Sequence, residues 1–368
     1  IMGLVHYLNA TIAGGHILFR RSTDSAPVDL TQLTDRQMRK IRGKDISMIF
    51  QEPMTSLNPV YTVGDQITEV LLLHGDYTRA TARDEALRLL RLVRLADAES
   101  LLKRYPHQLS GGMRQRVMIA MALACKPKVL VADEPTTALD VTIQAQILTI
   151  IRDLQKELGM AVIFITHDMG VVAEIADHVV VMREGEKVEE AAVEPLFEQP
   201  QKAYTRALLA AVPTLGSMKG QTLPCSEPLV IFDGADVVTR GEATVQDTVR
   251  VQEEPIVRIE NLVTRFDINK GFWSGVSHRV HAVENVSFDI YPGETLALVG
   301  ESGSGKSTIG RTIQQLQEST SGDIIFSGKP VSQMSRSEKM TLRQQVQYIF
   351  QDPFASLDPR KTVGFSIA

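Results

Sequence analysis

The residues best suited to chemistry in this 368-residue chain fall in four short strings. Gly300-Glu301-Ser302-Gly303-Ser304-Gly305-Lys306-Ser307-Thr308 has the spacing of a loop that holds phosphate groups. Its glycines let the backbone curl until successive N–H groups and a helix N-terminus point at one anion. Lys306 then reaches the β and γ phosphates of a nucleotide, and the Ser307 hydroxyl sits on Mg²⁺. Lys128-Val-Leu-Val-Ala-Asp133-Glu134-Pro135 puts an acidic pair at the end of an apolar run, where Asp133 can hold Mg²⁺ and Glu134 can polarise a water. Leu109-Ser110-Gly111-Gly112-Met-Arg-Gln-Arg116 reads as a helix start, with Ser110 as N-cap and two glycines exposing backbone donors to an anion. The fourth string, Thr166-His167-Asp168, closes a further apolar run, and Ala138-Leu-Asp140 follows the acidic pair. Taken singly, a capped helix, an acidic turn and a lone histidine are ordinary structural features.

The elements that must position these strings are legible from periodicity. Strands over 129–132, 161–166 and 179–182 alternate with helices over 81–104 and 141–158, an α/β layer pattern. The glycine-rich loop requires a strand before it and a helix after it. Residues 295–299 read as a buried strand and 308–317 as a helix. Strands over 256–261 and 280–290 precede them.

An internal repeat organises the chain. Residues 50–64 and 350–364 agree at nine of fifteen positions at an offset of 300, where chance gives about one match. Two full copies at that spacing need about 600 residues. Pairing Gly15 with Gly322 puts the first copy's phosphate lysine just upstream of Ile1, so both copies are expected to be incomplete. The expected organisation is residues 1–212, the back of one unit; 213–255, a linker broken by Pro213, Gly216, Gly220, Pro224, Pro228, Gly234 and Gly241; and 256–368, the front of a second unit.

Read in order, Gln51, Ser110-Gly-Gly112, Asp133-Glu134, Asp140 and His167 resemble the Q-loop, signature, Walker B, D-loop and H-loop of the nucleotide-binding domain of ABC transporters. The resemblance implies tandem α/β P-loop NTPase domains that take ATP and Mg²⁺ and pair head to tail. It implies that Gly300, Glu301, Ser302, Gly303, Ser304, Gly305, Lys306, Ser307, Thr308 and Gln351 hold one nucleotide, faced by Ser110, Gly111 and Gly112. It implies catalytic roles for Glu134, His167 and Gln51, and Mg²⁺ contacts for Ser307, Gln351, Asp133 and Gln51. Phe266 would be the aromatic that stacks on adenine, with Phe272 and Trp273 as nearby surface-loop aromatics.

The string Ala203-Tyr-Thr-Arg-Ala-Leu-Leu-Ala-Ala-Val-Pro213 is similar to the C-terminal segment of importers of dipeptides, oligopeptides and nickel, with Lys202-Ala203 in place of the usual His-Pro. The tandem arrangement looks most like the fused ATPases of peptide importers, those for glutathione among them. That branch implies two transmembrane permease subunits as partners, a periplasmic or extracellular substrate-binding protein beyond them, and a peripheral place on the cytoplasmic face of the inner membrane. Two other readings are a non-catalytic ATP-binding module that docks on a permease and a soluble ATPase acting on ribosomes. The second expects a basic linker, whereas residues 213–255 hold several acidic residues and few basic ones.

Composition agrees with these expectations. With 39 basic and 44 acidic residues the net charge is −5, which speaks against nucleic acid as a partner. The apolar runs fall short of the 18 or so residues of a membrane span. Two cysteines, Cys125 and Cys225, fit a reducing compartment, and residues 1–10 lack the pattern of a signal peptide.

Overall fold

The computed structural model describes residues 1–5, 10–51, 56–137, 139–212, 219–220, 223, 225–226, 229–233, 236–240, 244–245, 247–269, 276–351 and 356–367. Ala138, Phe272, Trp273 and most of the proline and glycine positions of the expected linker lie outside them. The chain divides into two units, Ile1–Lys219 with Pro228–Glu242, and Gly220–Glu227 with Ala243–Ala368.

The first unit opens with a two-stranded antiparallel pair, β1 (Leu18–Phe19) and β2 (Val28–Asp29), followed by the short helix α1 (Asp35–Met38). A parallel three-stranded sheet is then assembled from β3 (Ile46–Ile49), β4 (Val129–Asp133) and β5 (Ala161–Ile165), with β4 in the middle. Its register aligns Ile49 with Ala132 and Asp133 with Ile165. Between β3 and β4 lie α2 (Val63–His74), α3 (Arg79–Leu92), α4 (Ala98–Leu101) and α5 (Gly111–Leu123). Capping boxes at Thr62/Asp65 and Thr78/Thr81 start α2 and α3 by satisfying N–H groups that the first helical turn leaves unpaired. These helices share one apolar core with the sheet and with α6 (Val141–Leu158), through Ile67, Leu71, Leu90, Ile119, Leu130 and Ile147.

The single helix expected over 81–104 is broken. Leu95 N–H bonds to the Leu90 carbonyl while Arg94 takes a left-handed φ of 58°, the helix stop usually built on glycine. Leucines continue at near-helical spacing through Leu102, so periodicity alone runs past the stop. After β5 come α7 (Met169–Ile175) and the hairpin of β6 (His178–Arg183) and β7 (Glu186–Ala192). Next are α8 (Val193–Glu198) and α9 (Ala203–Ala210). The Glu189 carboxylate, 9% exposed, accepts the N–H groups of Gln201 and Lys202 at 2.7 and 3.1 Å and so fastens the start of α9 to β7. Residues 225–245 contain two short antiparallel pairs, β8 (Cys225–Ser226) with β11 (Thr244–Val245) and β9 (Leu229–Asp233) with β10 (Asp236–Arg240).

The second unit is an antiparallel sheet ordered β13-β12-β14-β15, from β12 (Val257–Asn269), β13 (Val276–Ile290), β14 (Ser321–Phe326) and β15 (Lys329–Pro330). The strands expected over 256–261 and 280–290 are parts of β12 and β13, both longer than expected. Helix α10 (Lys306–Ile313) follows the phosphate loop and stops short of the expected end at Gln317, because Leu316 N–H turns back to the Arg311 carbonyl around Gln315 at φ 59°. The remaining helices are α11 (Arg336–Gln345) and α12 (Val363–Ile367).

Residues 295–299 correct the sequence reading. They form no strand, and Leu296, Leu298 and Val299 are 39%, 41% and 92% exposed. A parallel strand is stable only where a neighbour takes its N–H and C=O groups, and among the described residues no strand pairs with this one. The repeat supplies an internal control for the same effect. Ile49, bonded into β3 beside β4, is 1% exposed, while its counterpart Ile349 has no strand partner and is 97% exposed. Ile49→Ala is therefore expected to cost about 2–5 kcal/mol of unfolding free energy, and Ile349→Ala to stay within about 0.5 kcal/mol. Urea titration of the two variants checks this.

Candidate functional site

In the first unit the chemistry gathers on the carboxyl ends of the three parallel strands, the edge where open α/β sheets bind ligands. Gln51 lies two residues beyond β3, Glu134 one beyond β4, and His167 two beyond β5. Because the strands run in register, these side chains converge. Gln51 Nε2 donates to Glu134 Oε2 at 2.9 Å, and His167 Nδ1 is 3.1 Å from Glu134 Oε1. Thr137 Oγ1 donates to Glu134 Oε2 at 2.9 Å. The Glu134 backbone N–H bonds to the Ile165 carbonyl, which holds the turn to β5, and its φ of 44° is left-handed. Asp133 ends β4, partly buried and paired in register with Ile165.

These contacts act on the acidity of Glu134. The hydrogen bond from His167, then that from Thr137, then that from Gln51 hold its carboxyl below the ordinary glutamate value, while desolvation opposes them. The three contacts fix the carboxylate's oxygens in place at the strand end, the geometry a group that orients water requires.

The helix start at Ser110 forms as expected. Ser110 Oγ accepts the Met113 N–H at 3.3 Å at the head of α5. Its two glycines differ in kind: a Cβ on Gly111 would meet nothing within 4 Å, whereas one on Gly112 would lie 2.9 Å from Ile143 Cγ2 on α6. Gly111 leaves its backbone open at the head of α5, and Gly112 lets two helices approach. Asp140 caps α6 through the Ile143 N–H at 2.9 Å, and Asp168 caps α7 through the Gly170 N–H at 2.8 Å.

Two residues of this site carried no signal of their own in the sequence. Thr137 sits three residues after Glu134, a spacing that a tight turn turns into contact. Gln115, 2% exposed on α5, donates its side-chain amide to the Pro135 carbonyl and ties the Ser-Gly-Gly helix to the acidic turn.

In the second unit Gly300, Gly303 and Gly305 take φ of 158°, 83° and 95°. Gly303 and Gly305 lie in the region glycine favours, and a Cβ on Gly305 would lie 2.2 Å from the Ala282 carbonyl oxygen. Lys306 Nζ folds over the loop, donating to the carbonyls of Gly300 and Glu301 at 2.7 and 2.6 Å and to Ser304 Oγ at 3.1 Å. Ser302 belongs to the same turn, and Lys306, Ser307 and Thr308 form the first turn of α10, whose free N–H groups face the loop. A curled loop with a cation held across its mouth and a helix N-terminus behind it fits a phosphate group. Among the described residues no three His, Cys, Asp or Glu side chains form a metal cluster.

Gln351 is exposed, and Phe266 is 38% exposed on β12 opposite Val280. No ring contact among the described residues joins Phe266 to the loop. The Gln51, Glu134 and His167 set and the phosphate loop lie in different units.

These motifs, on an α/β fold, define an ATP-binding cassette, and the family model of ABC transporters matches residues 8–137 and 283–365. The chain belongs to that family. It is 59% identical over 367 residues to the glutathione import ATP-binding protein GsiA of Pectobacterium atrosepticum, covering all of this chain and 58% of that protein. The proteins of the same name from Salmonella paratyphi A, 55% identical over 367 residues, and from Escherichia coli O157:H7, 58% identical over 351 residues, cover 100% and 95% of this chain and 58% and 56% of their own length. The chain thus spans somewhat over half the length of these relatives. A solved dimeric ATP-binding cassette bound to ADP and Pi aligns at 31% identity over 45% of this chain and 70% of its own, with a TM-score of 0.41.

Removing the contacts on Glu134 in turn is expected to raise its pKa, most in His167→Ala, less in Thr137→Val and least in Gln51→Ala. A lowered carboxylate contributes stability above its unfolded pKa and loses it as pH falls through the folded one. The three variants therefore lose, in that order, the stability this carboxylate contributes above its unfolded pKa and converge with the parent in acid, which carboxyl-carbon NMR titration and urea unfolding at neutral and at acid pH check.

Proposed function

We propose that this chain is part of the ATP-binding and ATP-hydrolysing subunit of an importer for peptides, with glutathione as the favoured substrate. The observation that carries the reading is the convergence of Gln51, Thr137 and His167 on the Glu134 carboxylate at the end of β4. The relatives named above support the glutathione assignment.

On this reading residues 1–212 and 256–368 are parts of two ABC ATPase domains, with 213–255 between them. Gly300 to Thr308 and Gln351 hold one nucleotide, which Ser110, Gly111 and Gly112 face from the other domain in head-to-tail pairing. Phe266 stacks on adenine. Mg²⁺, when bound, would be held by Ser307 and Gln351 at the nucleotide of the second copy and by Asp133 and Gln51 at that of the first, and would neutralise charge on the phosphates. Glu134 orients the attacking water and takes its proton. His167 contacts the terminal phosphate.

Positioning, charge neutralisation and water activation must act at one centre for phosphoryl transfer. The loop in these 368 residues belongs to one copy and the Glu134 set to the other, so the chain by itself is expected to bind ATP weakly and turn it over negligibly. Gln51 and Gln351 link nucleotide state to two permease subunits, which in turn meet a substrate-binding protein outside the cell, and the ATPase lies on the cytoplasmic face of the inner membrane. Among the described residues no helix is long and apolar enough to cross a membrane.

In cells whose own copy of the gene carries Glu134→Gln, uptake of labelled glutathione should fall about 100-fold or more, while ATP binding to the protein persists. Unchanged uptake of glutathione and of di- and oligopeptides would overturn the reading. Loss of peptide uptake with glutathione uptake intact would move the substrate and leave the ATPase role standing.

A further inference from the structure

A cleft of about 1030 Å³ in the first unit lies outside the nucleotide machinery and is lined by Arg21, Arg39, Lys40, Arg42, Lys44 and His74. Two carboxylates answer these cations. Asp45 pairs with Arg21 at 2.6 Å, and Asp35 pairs with Arg39 at 2.8 Å and with Arg42 at 2.9 Å. Lys40 and Lys44 are exposed, and no ion pair among the described residues engages them. Five permanent cations against two carboxylates leave a local excess of positive charge on a chain whose net charge is −5.

The backbone is shaped to this cleft. Gly43 takes a left-handed φ of 74°, and a Cβ there would lie 2.9 Å from His74 Nε2, so a side chain at this position would be strained and would displace the imidazole from the turn. Burial, followed by the Lys44 charge, pushes the His74 pKa down, which leaves a neutral ring able to accept or donate one hydrogen bond. Arg21 comes from residues 20–27, which join β1 to β2 where the second copy spends only Ser327 and Gly328 between β14 and β15.

The charge is not a demand of the fold. Arg39-Lys-Ile-Arg-Gly-Lys-Asp45 carries four cations, and the matching stretch of the second copy, Lys339-Met-Thr-Leu-Arg-Gln-Gln345, carries two. An apolar rim adjoins the basic floor. Leu73, at the end of α2, lines the cleft and is 71% exposed, and its neighbour Leu72 is 40% exposed. Basic side chains beside exposed leucines are the pairing that holds proteins at an acidic lipid surface.

We propose that this cleft binds a phosphate-bearing anion, and that the anion is the headgroup of an acidic phospholipid, with Leu73 and Leu72 entering the apolar edge of the bilayer. The test is co-sedimentation of the 368-residue chain with phosphatidylcholine vesicles with and without phosphatidylglycerol, beside titration with pyrophosphate. The chain is expected to sediment with the acidic vesicles only, and Lys40→Gln/Lys44→Gln to weaken that binding about tenfold. Both lysines are exposed, so the double variant should keep its fold, which circular dichroism verifies. Lys306→Gln, which disables the other phosphate site, should sediment like the parent. Pyrophosphate binding that depends on Lys40 and Lys44, without vesicle binding, would overturn the lipid as the source and keep the phosphate chemistry. Binding to vesicles and pyrophosphate that is indifferent to both lysines would overturn the proposal.

Discussion

The central strand β4 depends on hydrogen bonds given from both sides, and much of the first unit follows from that dependence. A parallel strand has no tight turn to close its own ladder, so β3 and β5 must arrive from distant parts of the sequence. Once they are bonded in register, their carboxyl ends stop at one level, and the next residue or two of each strand must share a small space. Gln51, Glu134 and His167 meet there because the ladder leaves them nowhere else to go. The helices α2 to α6 bury the faces of this sheet, and Gln115 and Gly112 connect the Ser-Gly-Gly helix to the same turn.

The second unit shows what happens when the ladder is not supplied. It holds a well-formed phosphate loop on an antiparallel sheet with its own core. Residues 295–299, which lead into that loop, remain unpaired, and the stretch that repeats β3 remains exposed. Local sequence is sufficient for the curl of the loop, since glycine conformations and a helix N-terminus suffice to build it. It is insufficient for the strand, whose burial is a property of its neighbours.

The same division separates what the sequence disclosed from what it did not. Ser110 and the bounds of α6 were legible because caps and periodicity act within a few residues. Gln51, Glu134 and His167 were legible as an ordered set and become a site through strand register. Thr137 and Gln115 were silent, since a threonine in a turn and a glutamine in a helix look the same whether or not they touch something distant. The stop at Arg94 was silent too, because a left-handed arginine looks like any other arginine until the chain turns around it. The basic cleft was silent because a short run of cations over 39–44 looks like any solvated face, and only folding brings Arg21 of the 20–27 loop over to Asp45.

Glu134 occupies a left-handed backbone position that costs a non-glycine residue about 1–2 kcal/mol. Glycine there would relieve the strain and erase the carboxylate at once. The fold and the chemistry therefore pull this position in opposite directions, and a laboratory search for thermostability that ignored activity would be drawn toward an inert protein at this site.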